Sequence, residues 1–145
     1  MGRCYEKNAK SNLKMKIFKR IPLYIKISTN EIEITDLSTG KTISRAAIEK
    51  FSTRRVIIAN YFKLEAHLKL VLNEFKFKRN AFTSINALVQ QTEDVVDGLT
   101  ETELRVLLDS TEIAIGARII IVVKHTRLLS NEDALEAFNS NAPLD

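Results

Sequence analysis

Residues 98–123 read GLTETELRVLLDSTEIAIGARIIIVV, and this stretch decides the fold class. Thr100 followed by Glu103 is a capping box, in which a hydroxyl and a carboxylate satisfy backbone amides that a helix start leaves open. Leu104, Leu107, Leu108 and Ile115 then recur at helical spacing and predict one apolar stripe. Gly116 follows, placed to end the helix in a left-handed conformation. Ile119 to Val123 is apolar throughout and reads as a strand. A capped helix running through a short turn into such a strand is half of a parallel β-α-β unit, so a mixed or parallel sheet with helices against it is expected.

Upstream, Arg55 to Ala59 carries Val56-Ile57-Ile58 and predicts a buried central strand. Asn60 is placed to cap a helix whose Leu64, Leu68, Val71, Leu72 and Phe75 form one stripe. Ile85 to Val89 is a less strongly patterned strand, and the polar, acidic run Gln90 to Gly98 reads as a loop. At the start, Leu23 to Ser28 alternates with the period of a half-buried strand. Thr29-Asn30 makes a turn, Glu31 to Thr35 alternates again, Ser38 to Lys41 makes a second turn, and Thr42 to Arg45 is a third strand. Ser130 caps a last short helix with Ala134, Leu135 and Phe138 turned inward. The predicted order is β-β-β, then β-α-β-α-β, then a helix: a single α/β domain on a mixed sheet. Residues 1–20 are read as a basic arm, 21–139 as the domain and 140–145 as a frayed end.

The 145 residues have room for one core, and 45% apolar with 28% charged residues is ordinary for a folded chain. No apolar run approaches the length of a membrane span, the start lacks the apolar core of a secretory signal, and Cys4 stands alone, so no internal disulfide is possible. These features lead us to expect a cytoplasmic protein. The formal charge of +4 is uneven. Residues 1–20 hold seven basic side chains against Glu6, a balance of +6, which leaves −2 for the rest. Within that arm Lys14, Lys16, Lys19 and Arg20 are candidate contacts for nucleic acid or for an anionic surface such as that of the inner membrane. Met15 offers an alternative start that removes much of the arm.

Few residues carry chemistry. Gly2, Gly40, Gly98 and Gly116 are scattered, whereas a phosphate loop needs clustered glycines. Cys4, His67 and His125 lie apart, against the short ligand spacing of a zinc site. His67 reads as a helix-surface residue, and His125 follows a strand without a nucleophile motif. Glu31, Glu33 and Asp36 sit on the second strand, at outward-facing positions or its end, and the first strand, Leu23 to Ser28, carries no carboxylate. Glu93, Asp94 and Asp97 read as a solvated acidic loop. Phe75 to Phe82 interleaves aromatics with Lys76, Lys78 and Arg79, a pattern that can stack bases and contact phosphates, or simply end a helix.

Two segments resemble the MreB rod-shape family of bacterial actins. Arg55 to Leu68 (RVIIANYFKLEAHL) is similar to that family's strand-to-helix stretch, commonly G-V-I-A-D-F before an amphipathic helix. Gly98 to Arg105, with Gly116-Ala117-Arg118 and Ile119 to Val123, is similar to its T-x-V-E-R-R helix, G-A-R-E-V turn and following strand. Element order extends the likeness loosely over residues 23–128. The resemblance implies an actin-like, RNase H-like half-domain. It also implies a first hairpin that approaches phosphate and magnesium through D-L-G-T. This chain has Lys26-Ile27-Ser28-Thr29-Asn30 there: Lys26 replaces the acid and the glycine is missing. Glu103 aligns with the family's water-positioning carboxylate. Counterparts of the second phosphate loop, the adenosine motif and the second lobe do not occur in these 145 residues.

The expectation is therefore a non-catalytic protein-interaction module, without catalytic residues, cofactor or metal, and without ATP binding or hydrolysis. Its expected partner is a protein, such as an actin-like filament protein or another cell-envelope component. The alternatives are a small inhibitor or immunity-type protein, a nucleic-acid binder using the arm with Lys76, Lys78 and Arg79, and a cryptic metal-dependent hydrolase.

Overall fold

A computed structural model describes residues 18–53, 56–94 and 98–140. The elements are β1 (Lys19–Ser28), β2 (Glu31–Asp36), β3 (Thr42–Ala46), α1 (Tyr61–Asn73), β4 (Thr83–Gln91), α2 (Glu101–Ile115), β5 (Ile119–Val123) and α3 (Asn131–Asn139). They build one α/β domain around a five-stranded mixed sheet of order β3-β2-β1-β4-β5. Asn30, at φ 54°, turns β1 back onto β2, and Gly40, at φ 78°, serves the second hairpin. β1 then runs parallel to β4, from Lys19 beside Thr83 to Ile27 beside Gln91, and β4 runs parallel to β5.

Alternation along β1 divides the core between two faces. Ile21, Leu23, Ile25 and Ile27 pack with Ile32, Ile34, Leu64, Leu68, Leu107 and Ile115 beneath α1 and α2. Tyr24, on the other face, packs with Leu88, Val123, Ala134 and Ala137 beneath α3. β1 is therefore covered on both sides at its centre, and Tyr24 is as buried as its neighbours, where the sequence pattern predicts a half-buried strand.

The predicted strand at Arg55 to Ala59 is corrected. Residues 56–59 form no strand, and Arg55 lies outside the described residues. Thr53 donates to the Val56 carbonyl, and Ala59 and Asn60 donate to the Phe51 carbonyl, at 2.8, 2.8 and 3.0 Å. Ile57 and Ile58 are buried because this loop folds over the core. The position beside β1 belongs to β4, which pairs with it along nine residues. β4 is the central strand, and it continues through Gln90 and Gln91, which the sequence pattern assigns to a loop.

Helix faces also shift. α2 buries Leu107 and Ile115 with Ser110, Thr111 and Ala114, while Leu104 and Leu108 are half-buried. α3 buries Ala134 and Ala137, and Leu135 is exposed, because two alanines let this short helix lie close to the sheet. Each predicted cap is present. Asn60 accepts from the Lys63 amide and Ser130 from the Asp133 amide, both at 3.1 Å. Gly116 ends α2 at φ 66°. Thr100 Oγ1 accepts from the Glu103 amide at 3.2 Å, and the Thr100 amide donates to Glu103 Oε2 at 2.9 Å. Thr100→Ala is accordingly expected to cost about 1 kcal/mol in urea unfolding, with most of α2 retained by circular dichroism.

Candidate functional site

Ligands of α/β sheets gather at the carboxyl ends of the parallel strands. Here those ends are Ser28, Gln91 and Val123. Lys26, in β1, points its ammonium at Glu33 of β2 at 3.0 Å and lies 4.8 Å from the centre of the Tyr24 ring. The Tyr24 hydroxyl donates to Gln90 Oε1 and accepts from the Leu129 amide at 3.2 Å. Gln90 Nε2 donates to the carbonyls of His125 and Arg127, both at 2.8 Å. Tyr24 and Gln90 thereby fasten the 125–129 segment onto β1 and β4. Thr126 donates to Asp94 at 2.7 Å, and Glu93 accepts from the Thr29 amide at 3.2 Å. Lys26 with Glu33, Tyr24 with Gln90 and Thr126 with Asp94 are side-chain pairs at this edge. Glu103, the resemblance's water-positioning residue, is engaged in the capping box.

Acidic candidates divide in the same way. Glu31 accepts from Ser44 at 2.8 Å, and Asp36 accepts from the amide and hydroxyl of Ser38, closing a turn. Asp97 lies outside the described residues. Among the described residues no three His, Cys, Asp or Glu side chains gather as metal ligands. His67 is corrected: it is 7% exposed, beside Phe51, with Nε2 2.8 Å from the Arg45 carbonyl, because the β3 backbone crosses α1 there.

Of the basic candidates, Lys19 and Arg20 lie at the opposite edge. Lys14 and Lys16 lie outside the described residues. Lys19 and Arg20 begin β1 beside Thr83 and Ser84 of β4. Lys76, Lys78 and Arg79 stand on the loop that leads into β4. Lys76 takes a left-handed conformation, φ 53°, in the turn that stacks Phe77 on Phe75 at 5.1 Å, so those two rings are structural. Arg79 Nη2 donates to the Ile115 carbonyl at 3.2 Å, satisfying the end of α2. Sequence reasoning missed Arg118, which precedes β5 and shares a cavity of about 300 Å³ with Phe18, Arg20, Phe82, Thr83 and Ser84. From the aromatic and basic run only Ala81 and Phe82 line that cavity; Arg20 comes from β1, and the pairing of β4 with β5 brings Arg118.

A third surface lies on α1. Phe62, Ala66 and Leu70 stand four residues apart on its solvent side, with Phe62 78% and Leu70 49% exposed. Ile48, 90% exposed, shares with Ala66 and Leu70 a cavity of about 360 Å³ that Glu49, Lys63 and His67 also line. The neighbouring Tyr61 phenol is held above its ordinary value of 10.0 by desolvation and by the carboxylates of Glu65 and Asp109. Sequence patterning picks out the buried stripe of α1 and passes over this exposed row. Its signal was present, in apolar residues at positions 62, 66 and 70 on the face opposite the stripe.

In comparisons with known proteins, no family model and no curated protein matches this chain. Among the described residues no helix is long and apolar enough to cross a membrane.

Proposed function

We propose that the chain is a non-catalytic protein-interaction module on an actin-like, RNase H-like half-domain, and that it docks on an actin-like filament protein through the exposed face of α1. The meander that feeds alternating helices and parallel strands supports the half-domain reading. The observation that carries the interaction is the exposed row of Phe62, Ala66 and Leu70, the last two sharing a cavity with Ile48. Contiguous exposed apolar side chains around a groove mark protein contact surfaces, and an aromatic ring left 78% exposed gains most from being covered. The carboxyl edge of the sheet favours binding over catalysis, since Lys26 neutralises Glu33 where the resembled family holds phosphate and magnesium.

Cosedimentation with purified filaments of a rod-shape actin homologue tests the reading. The intact chain is expected to pellet with the filaments at both low and raised salt, because an apolar contact depends little on screening. Phe62→Glu with Leu70→Glu is expected to weaken pelleting at least tenfold, as loss of a buried aromatic anchor does. Intact protein left in the supernatant, or a double variant that pellets normally, removes the docking reading. Magnesium-dependent ATP turnover above that of the buffer removes the non-catalytic one.

A further inference from the structure

The amino edge of the parallel strands carries a second surface, independent of the α1 face. Parallel register sets Arg20 of β1 beside Ser84 of β4, and the Arg118 amide donates to the Ile85 carbonyl at 2.8 Å. Arg20 and Arg118 both line the cavity at the start of β4, together with Thr83 and Ser84. Among the described residues neither guanidinium makes an ion pair, while Arg45 and Arg105 each bind a carboxylate. Among the described residues none that lines the cavity is acidic. Each cation is drawn toward an anion that the described part of the domain does not supply at this place.

Two aromatic rings complete the cavity. Phe18 and Phe82 meet edge to face, with centroids 5.5 Å apart, and are 56% and 48% exposed. Phe75 and Phe77, from the same run of sequence, stack on each other at the core instead. An edge-to-face pair on the surface keeps ring faces available to a further planar group. Arg20 and Arg118 are the two basic side chains that line the cavity. A volume of about 300 Å³ lies at the lower end of the range of small-ligand sites.

We infer that this cavity binds single-stranded nucleic acid, with Arg20 and Arg118 on backbone phosphate and Phe82, backed by Phe18, stacking on a base. Guanidinium groups suit phosphate because their forked donors match its oxygens. Exposed rings beside a cationic rim are the second requirement of strand binding, since a base offers a flat face whatever its identity. An acidic peptide uses the cations and leaves the rings idle.

The test is fluorescence anisotropy of a labelled oligothymidylate of about ten nucleotides, titrated with the full chain over a salt series. Saturable binding is expected. Arg20→Gln with Arg118→Gln is expected to weaken it at least tenfold and to flatten its salt dependence, because two counterion-releasing contacts are lost. Phe82→Leu is expected to weaken it roughly 5- to 150-fold through lost stacking, while Phe82→Tyr keeps it. These side chains are exposed, so all the variants are expected to keep the melting temperature of the parent. Lys14→Gln with Lys16→Gln is expected to leave the Phe82→Leu loss unchanged. No saturable binding overturns the inference, as do cavity variants that bind like the parent. Displacement by polyglutamate as efficient as by unlabelled oligonucleotide also overturns it, since the site then reads charge alone.

Discussion

Replacing Leu68 by alanine is expected to destabilise the domain by about 2–5 kcal/mol in urea unfolding. Leu68 is fully buried on the inner face of α1, packed into the core that also holds Ile25, Ile34 and Val89. Truncation removes its favourable transfer from water and leaves a cavity that sheet and helix cannot both close. Leu107→Ala is expected to cost a similar amount, because Leu107 is equally inaccessible in α2. Leu108→Ala, one position on, is expected to cost clearly less, since Leu108 is only half-buried. An unfolding midpoint for Leu108→Ala below that of Leu107→Ala contradicts the helix face described here.

Gln90→Leu is expected to destabilise by about 2–4 kcal/mol, although leucine fills much of the same volume. Gln90 is wholly buried, accepts from Tyr24, and donates to two carbonyls of the 125–129 segment. Leucine leaves the buried Tyr24 hydroxyl without its acceptor and releases both carbonyls. The loss is specific to the pair. Tyr24→Phe in the Gln90→Leu background is expected to cost less than in the parent, because removing both buried partners avoids an orphaned group. Hydrogen exchange gives a second reading. The Leu129 amide, held by the Tyr24 hydroxyl at 3.2 Å, is expected to exchange faster in Gln90→Leu. Additive effects in the double variant, with unchanged exchange at Leu129, contradict the network.

Both predictions depend on sheet order, which the sequence reveals unevenly. The Phe75–Phe82 run shows this well. Its composition suggests a binding surface or a helix end, and each half of it does something different. Phe75 and Phe77 turn into the core, while Phe82 stays outside beside Arg118, a residue far along the chain. Arg20 and Arg118 share one cavity because β1 and β5 both pair with β4. No local pattern carries that information.

By itself the sequence determined the local elements whose signals are complete within a few residues. The capping box at Thr100 and Glu103, the caps at Asn60 and Ser130, the left-handed Gly116 and the meander turns depend on φ preferences and short hydrogen bonds, so neighbours in sequence suffice. The buried stripe of α1 was equally legible from its period. Tertiary structure alone decided the rest. Val56-Ile57-Ile58 and Ile85 to Val89 are both apolar and strand-like, but only one can lie beside β1, and nine residues of pairing gave that place to β4. Gln90 looks like loop material until the 125–129 carbonyls and Tyr24 satisfy its amide, after which it can be buried in a strand. Burial and pairing are contests among distant segments, and their outcome is set by which contacts can form together in one packed core.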